Sequence, residues 1–216
     1  VQLGLISDIH ADPLGFELAL RQLRAHRVDR VVCAGDLVGH GPFPDRVVAL
    51  MIEHRIASAR GNHDRWAVAA GPCGTLPFGG APCAAASIEY LEKLPSRLPI
   101  AGHDRLGLVT HASPESDMLG ILPDEWSITD LDRLLSELGV DFLVVGHTHR
   151  PGWHRSPTGL VVNPGSLATI PNVPSSRTFA ILELPALEVV FRDVETGEKR
   201  EVPPWHEARP SRSATS

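Results

Sequence analysis

The chain is 216 residues long, enough for one large domain with a full apolar core. Apolar residues make up 43% and charged residues 21%, which excludes a disordered or fibrous chain. A formal net charge of −6 disfavours binding of nucleic acid or anionic membrane through a broad basic surface, so a polyanion would need a local positive centre.

No apolar run approaches the roughly 20 residues of a membrane span, and no basic segment followed by an apolar stretch marks a leader, so the expected compartment is the cytoplasm. Cys33, Cys73 and Cys83 are an odd set without a CxxC pair, which argues against a disulfide framework or a structural zinc site.

In chain order, residues 3–7 read as a strand and 13–26 as a helix, opened by Asp12 as cap and Pro13 at the first helical position. A strand follows at 30–34, then a helix over 45–55 with Val47, Val48, Met51 and Ile52 at helical spacing, then a strand at 56–60. Residues 71–82 and 112–126 are loops dense in Gly, Pro and polar residues, of a length that often walls a site. Strands are expected at 106–110 and 142–145. Between them lies a helix over 127–138 whose start, Ser127 with Asp130, has the form of a capping box. Residues 159–162, 178–184 and 188–194 complete the strands, the last two as an antiparallel hairpin about Pro185. The alternation predicts an α/β fold, parallel in its first half and mixed in its second, with a domain over 1–202 and a disordered tail over 203–216.

The polar residues fall where those strands end. The first is followed by Asp8 and His10, the second by Asp36, the third by Asn62, His63 and Asp64, a later one by His111, and another by His147 and His149. Ligands of open α/β sheets bind at the carboxyl ends of strands, so the five clusters are expected to converge on one crevice. In an extended chain the i, i+2 pairs Asp8/His10 and His147/His149 would each point to one side. Carboxylate, imidazole and amide donors without sulfur suit Mn, Fe, Zn, Co or Ni better than Ca or Cu(I).

The ordered blocks DIH, GD, GNHD, a single His after an apolar strand, and GHTH resemble the calcineurin-like metallophosphoesterase superfamily, in particular its small bacterial and archaeal phosphodiesterase-type members. The resemblance covers about residues 3–195 and includes VNPGS, 162–166. It implies a four-layer αββα sandwich of two mixed sheets. It also implies two divalent metal ions, Mn ahead of Fe, Zn, Ni or Co, one held by Asp8, His10, Asp36 and His149 and the other by Asp36, Asn62, His111 and His147. Asp36 and a hydroxide would bridge, His63 would protonate or stabilise the leaving oxygen, and Asp64 would orient the His63 ring.

The implied activity is hydrolysis of small organic or nucleotide phosphodiesters by the bridging hydroxide. A phosphomonoesterase or a dinucleoside-polyphosphate hydrolase of the same superfamily is the alternative, because the metals read phosphoryl oxygens and the loops read the rest. A nuclease is disfavoured by the acidic chain, and no stable nucleic-acid or membrane partner is expected. A non-catalytic scaffold such as the retromer subunit predicts broken motifs, whereas all seven ligand positions and His63 are intact. The oligomeric state, a homo-oligomer included, is left open. Of the other histidines, His26, His54, His103, His154 and His206 read as surface or helix-end residues, while His40, just after Asp36, could reach substrate. Arg65 and Arg150 flank the motifs, and Trp66, Trp126 and Trp153 either wall the site or pack.

Overall fold

Alternation along the strands sorts the apolar side chains into three clusters, and the two sheets lie between them. The computed structural model describes residues 1–169 and 175–206. In β1 (Gln2–Ile6), Leu3 and Leu5 point into a central cluster while Ile6 points the other way. β6 (Phe142–Val144) splits likewise, Phe142 and Val144 into the centre and Leu143 outward. A period of two therefore gives each sheet two buried faces.

The first sheet has the order β11-β10-β9-β1-β2-β3. β1 runs parallel to β2 (Arg30–Cys33), and β2 parallel to the two-residue β3 (Ala57–Ser58). β9 (Thr178–Glu183), β10 (Glu188–Asp193) and β11 (Lys199–Arg200) extend it antiparallel, the first two as the expected hairpin. Its outer face packs on α1 (Pro13–Ala25), α2 (Pro44–Glu53), α3 (Asn62–Ala70) and α4 (Ala85–Glu92), with Phe16, Leu23, Met51 and Leu91 fully buried there.

The second sheet has the order β4-β5-β6-β8-β7. β5 (Arg105–Thr110), β6 and β8 (Gly159–Asn163) are parallel, and β4 (Arg97–Gly102) and β7 (Gly152–Ser156) flank them antiparallel. Its outer face is covered by α5 (Ile128–Leu138) through Leu131 and Leu135. The layers are helices, sheet, sheet, helix: the αββα sandwich of two mixed sheets.

Four departures from expectation have local causes. The strand expected over 56–60 pairs only at Ala57 and Ser58, because the chain turns at Gly61 directly into α3. α4, β4, β7 and β11 lack the patterns that flag elements, since Pro99 and Gly102 interrupt β4 and a histidine and an arginine sit in β7. His154, expected at the surface, is buried on β7 with Nε2 2.9 Å from Asp132 Oδ1. The disordered tail expected from 203 does not start there: Trp205 is only 5% exposed, packs on the second sheet with Leu131 and Val161, and its backbone N–H donates to Trp153 O at 2.9 Å. The rest of the segment expected as a tail, 207–216, lies outside the described residues. All three cysteines are free. No helix among the described residues is long and apolar enough to cross a membrane.

Candidate metal centre

The parallel strands β1, β2 and β3 of one sheet, and β5 and β6 of the other, end on the same edge of the sandwich. Backbone bonds lace those ends together: Asp8 N–H donates to Gly35 O at 3.0 Å and Gly146 N–H to His111 O at 2.6 Å. All five sequence clusters meet there.

Two groups of donors form. In the first, His149 Nε2 lies 3.3 Å from Asp8 Oδ1 and 3.0 Å from His10 Nε2, and His10 Nε2 lies 3.8 Å from Asp36 Oδ2. In the second, His111 Nε2 lies 3.2 Å from Asp36 Oδ2, and Asn62 Oδ1 faces both His111 Nε2 at 2.9 Å and His147 Nδ1 at 3.0 Å. Asp36 faces both groups, and the two histidines of GHTH divide between them.

Chain direction contributes in a way the sequence did not reveal. Asp8, His10, Asp36, His147 and His149 all have left-handed backbone, with φ between 50° and 67°. The expectation that the i, i+2 pairs share a side because the chain is extended is therefore overturned. Tight left-handed turns, costly for non-glycine residues and concentrated at functional sites, aim these side chains inward. Glycines make room for them: a Cβ on Gly61 would overlap the Asp36 carboxylate, and one on Gly146 would overlap Ser7.

The donor set fits divalent cations. Asp8 and Asp36 are buried carboxylates, held well below the usual range against burial: Asp8 by a hydrogen bond and charge from His149, Asp36 by the charge and hydrogen bond of His111. Burial lowers His10 to about 3, whereas at His111 burial is outweighed by Asp36, which raises the ring to about 10. His111 Nδ1 lies 2.7 Å from Ala34 O and His10 Nδ1 3.3 Å from Val38 O. A ring that donates Nδ1–H to a carbonyl presents its Nε2 lone pair inward, the arrangement that metal-binding imidazoles use.

His63 stands at the rim, with its backbone N–H on Asp36 Oδ1 at 2.9 Å and its ring 4.8 Å from His10 and 4.4 Å from His40. Burial lowers its pKa to about 4, so the ring is neutral at neutral pH. Asp64 does not orient it. The buried Asp64 carboxylate accepts four backbone N–H groups, from Asp36 at 3.0 Å, Leu37 at 2.9 Å, Val38 at 3.2 Å and Gly61 at 2.9 Å. At the third position of α3 its side chain turns back over the helix start and clamps the Asp36 loop to the Asn62 loop.

Two residues that motif reading passed over hold the GHTH and DIH turns. Asn163 Nδ2 donates to Gly146 O at 2.8 Å, and Ser166 Oγ donates to Asp8 O at 2.9 Å. Their signal in the sequence was a polar residue at the end of an apolar strand inside VNPGS. Of the neighbours held open, His40 joins the ring cluster and Arg65 pairs with Asp117 at 2.6 Å. Trp126 and Trp153 pack against the second sheet's clusters, while Trp66 lies 4.8 Å from His63.

A family model described as the calcineurin-like phosphoesterase superfamily domain matches residues 1–186. The chain belongs to that superfamily. Among solved structures, a metallophosphoesterase from Sphaerobacter thermophilus is 25% identical, with 94% of this chain and 90% of that one covered at a TM-score of 0.69. A hypothetical protein from Pyrococcus horikoshii OT3 is 20% identical, covering 90% and 88% at a TM-score of 0.75. A structure described as a novel archaeal phosphodiesterase is 18% identical, covering 88% and 98% at 0.57. The last two likenesses concern the fold.

Proposed function

We propose that this chain is a metal-dependent phosphohydrolase that cleaves phosphodiesters of small organic or nucleotide substrates. The observation that carries the reading is the pair of donor groups meeting at Asp36, with His10 and His111 locked so that their Nε2 atoms face inward. Asp8, His10, Asp36 and His149 would hold one divalent ion, and Asp36, Asn62, His111 and His147 a second. Manganese is the first choice. Such a pair, when bound, clamps phosphoryl oxygens and lowers the pKa of a water enough to supply the nucleophile.

The chain's own residues do the rest. The buried Asp8 and Asp36 carboxylates, offset by two divalent charges, leave the crevice net positive and able to take a phosphate anion on an acidic protein. His63, neutral at the rim, donates a hydrogen bond to the leaving oxygen as charge builds on it, a contribution that typically reaches 10²–10⁴-fold when a positioned group acts on the leaving atom. Asp64, Asn163 and Ser166 keep the ligand loops in register and so preserve the separation of the two donor groups.

The test is hydrolysis of bis(p-nitrophenyl) phosphate beside p-nitrophenyl phosphate by chelator-stripped protein with Mn²⁺ restored, and with Asp36→Asn as control. Metal-dependent preference for the diester, lost in the variant, supports the reading. Preference for the monoester moves the assignment to a phosphomonoesterase, and turnover of neither ester by protein that binds two Mn²⁺ overturns it.

A further inference from the structure

The rings about His63 continue outward beyond the donor groups. His63 and Trp66, three residues apart on α3 and so on one face of it, have centroids 4.8 Å apart. Trp66 and Phe78 are 5.0 Å apart, and Phe78 is 6.1 Å from His63. On the inner side His63 stands 4.8 Å from His10. A row of rings therefore runs from the centre of the crevice to solvent, with half-buried Trp66 in the middle and Phe78, 61% exposed, at the outer end.

A single exposed phenylalanine is ordinary on a protein surface, so exposure alone carries nothing. Its fixation does. The loop bearing Phe78 is anchored by buried Leu76 and stitched to the Asp36 loop, with His40 N–H on Gly79 O at 3.2 Å and Ala81 N–H on Gly41 O at 3.0 Å. Gly79 and Gly80, at φ of 81° and 96°, make the turn that delivers Phe78 to the rim. The Arg65 guanidinium lies over the Trp66 ring, 5.8 Å from the indole centroid, and is pinned by both Asp117 carboxylate oxygens, at 2.6 and 3.1 Å. His63, Phe78 and Arg65 thus fix the half-buried indole beside the residue that would meet the leaving oxygen.

We propose that Trp66 and Phe78 form a stacking platform for a planar aromatic group carried by the leaving alcohol of the phosphoester, a nucleobase in size and chemistry. This rests on the phosphohydrolase reading and narrows it to nucleoside phosphoesters, with Phe78 a specificity-determining residue. With His63 at the leaving oxygen, as proposed above, the leaving substituent lies on the His63 side, and the ring row is what it meets next. Stacking of a base on an aromatic side chain changes affinity by roughly five- to a hundredfold.

The test is calorimetric binding of AMP and of ribose 5-phosphate to the full chain supplied with Mn²⁺, in the wild type, Phe78→Ala and Phe78→Trp. The two ligands share the phosphate and the sugar and differ in the base. The expected result is AMP tighter by about tenfold in the wild type and in Phe78→Trp, and a gap of under about threefold in Phe78→Ala. Equal affinities in the wild type, a gap that Phe78→Ala leaves intact, or no binding of either compound overturns the platform. A base preference in protein that hydrolyses no ester leaves the platform standing and removes the hydrolytic reading. Mn²⁺-dependent hydrolysis without a base preference does the reverse.

Discussion

Asp64 and His63 are neighbours in the sequence and do unrelated things. Side chains one residue apart on a helix point about 100° from each other, so the carboxylate that the family resemblance assigned to orient the imidazole instead collects the backbone donors of two loops. Asp64→Asn keeps one acceptor oxygen and turns the other into a donor facing N–H groups. We expect a loss of about 1–3 kcal/mol of stability by urea unfolding, and unchanged stability would refute the clamp. His63→Ala is expected to behave differently, leaving two Mn²⁺ bound by metal analysis while slowing diesters with alkyl leaving groups far more than p-nitrophenyl esters. Full rate on an alkyl diester would remove the assigned role. At this scale the motifs made the donor types and their order legible in the sequence. The left-handed turns at Asp8, His10, His147 and His149 were not legible, because nothing in those residue types demands positive φ.

Capping and strand-start contacts set the elements that carry the second half of the site. The expected box at α5 is present: Asp130 N–H donates to Ser127 Oγ at 3.1 Å and Ser127 N–H to Asp130 Oδ2 at 3.1 Å. Ser127→Ala is expected to cost about 1 kcal/mol, read from the thermal unfolding midpoint, and no change there would mean that α5 is held by packing alone. Asp141 opens β6 and ties it to β5, accepting Leu106 N–H and Arg105 Nη1, each at 2.7 Å. The backbone donor at Leu106 is the larger reason that its carboxyl lies below the usual range. A lowered folded pKa adds stability that is complete above the unfolded value near 3.9 and is lost as pH falls through the folded value. The wild type should therefore exceed Asp141→Asn in urea midpoint by a constant margin above about pH 5, and the margin should shrink below about pH 4. A margin independent of pH would exclude the ionic contribution. Strands with apolar runs and helices with strong periodicity were legible in the sequence; β4 and β7 were not, since edge strands with polar or proline residues carry no clear period.

For the whole molecule, α5 does not cover the outer face of the second sheet by itself, and the chain returns after β11 to add Trp205 to the same cluster. The indole lies against Gly152, where any Cβ would overlap it. Trp205→Ala is expected to destabilise the protein by about 3–5 kcal/mol, measured by denaturant unfolding; a loss below about 1 kcal/mol would show that Trp205 is dispensable. A segment of such composition, with prolines and no period, reads as a tail because burial by a single aromatic residue leaves no pattern in the sequence.

Donor types, their order along the chain and the class of fold were all readable before any contact was known. Short-range periodicity fixes which residues are strands and helices, and the residue types at strand ends fix which donors are available. The family resemblance already implied how those donors divide about Asp36; contacts within the fold alone showed that Asp64 clamps the Asp36 loop, that Asn163 and Ser166 hold the GHTH and DIH turns, and that the Phe78 loop reaches His63. These are relations between segments tens of residues apart, set by how two sheets stack and how loops turn, and no local pattern in a chain encodes them.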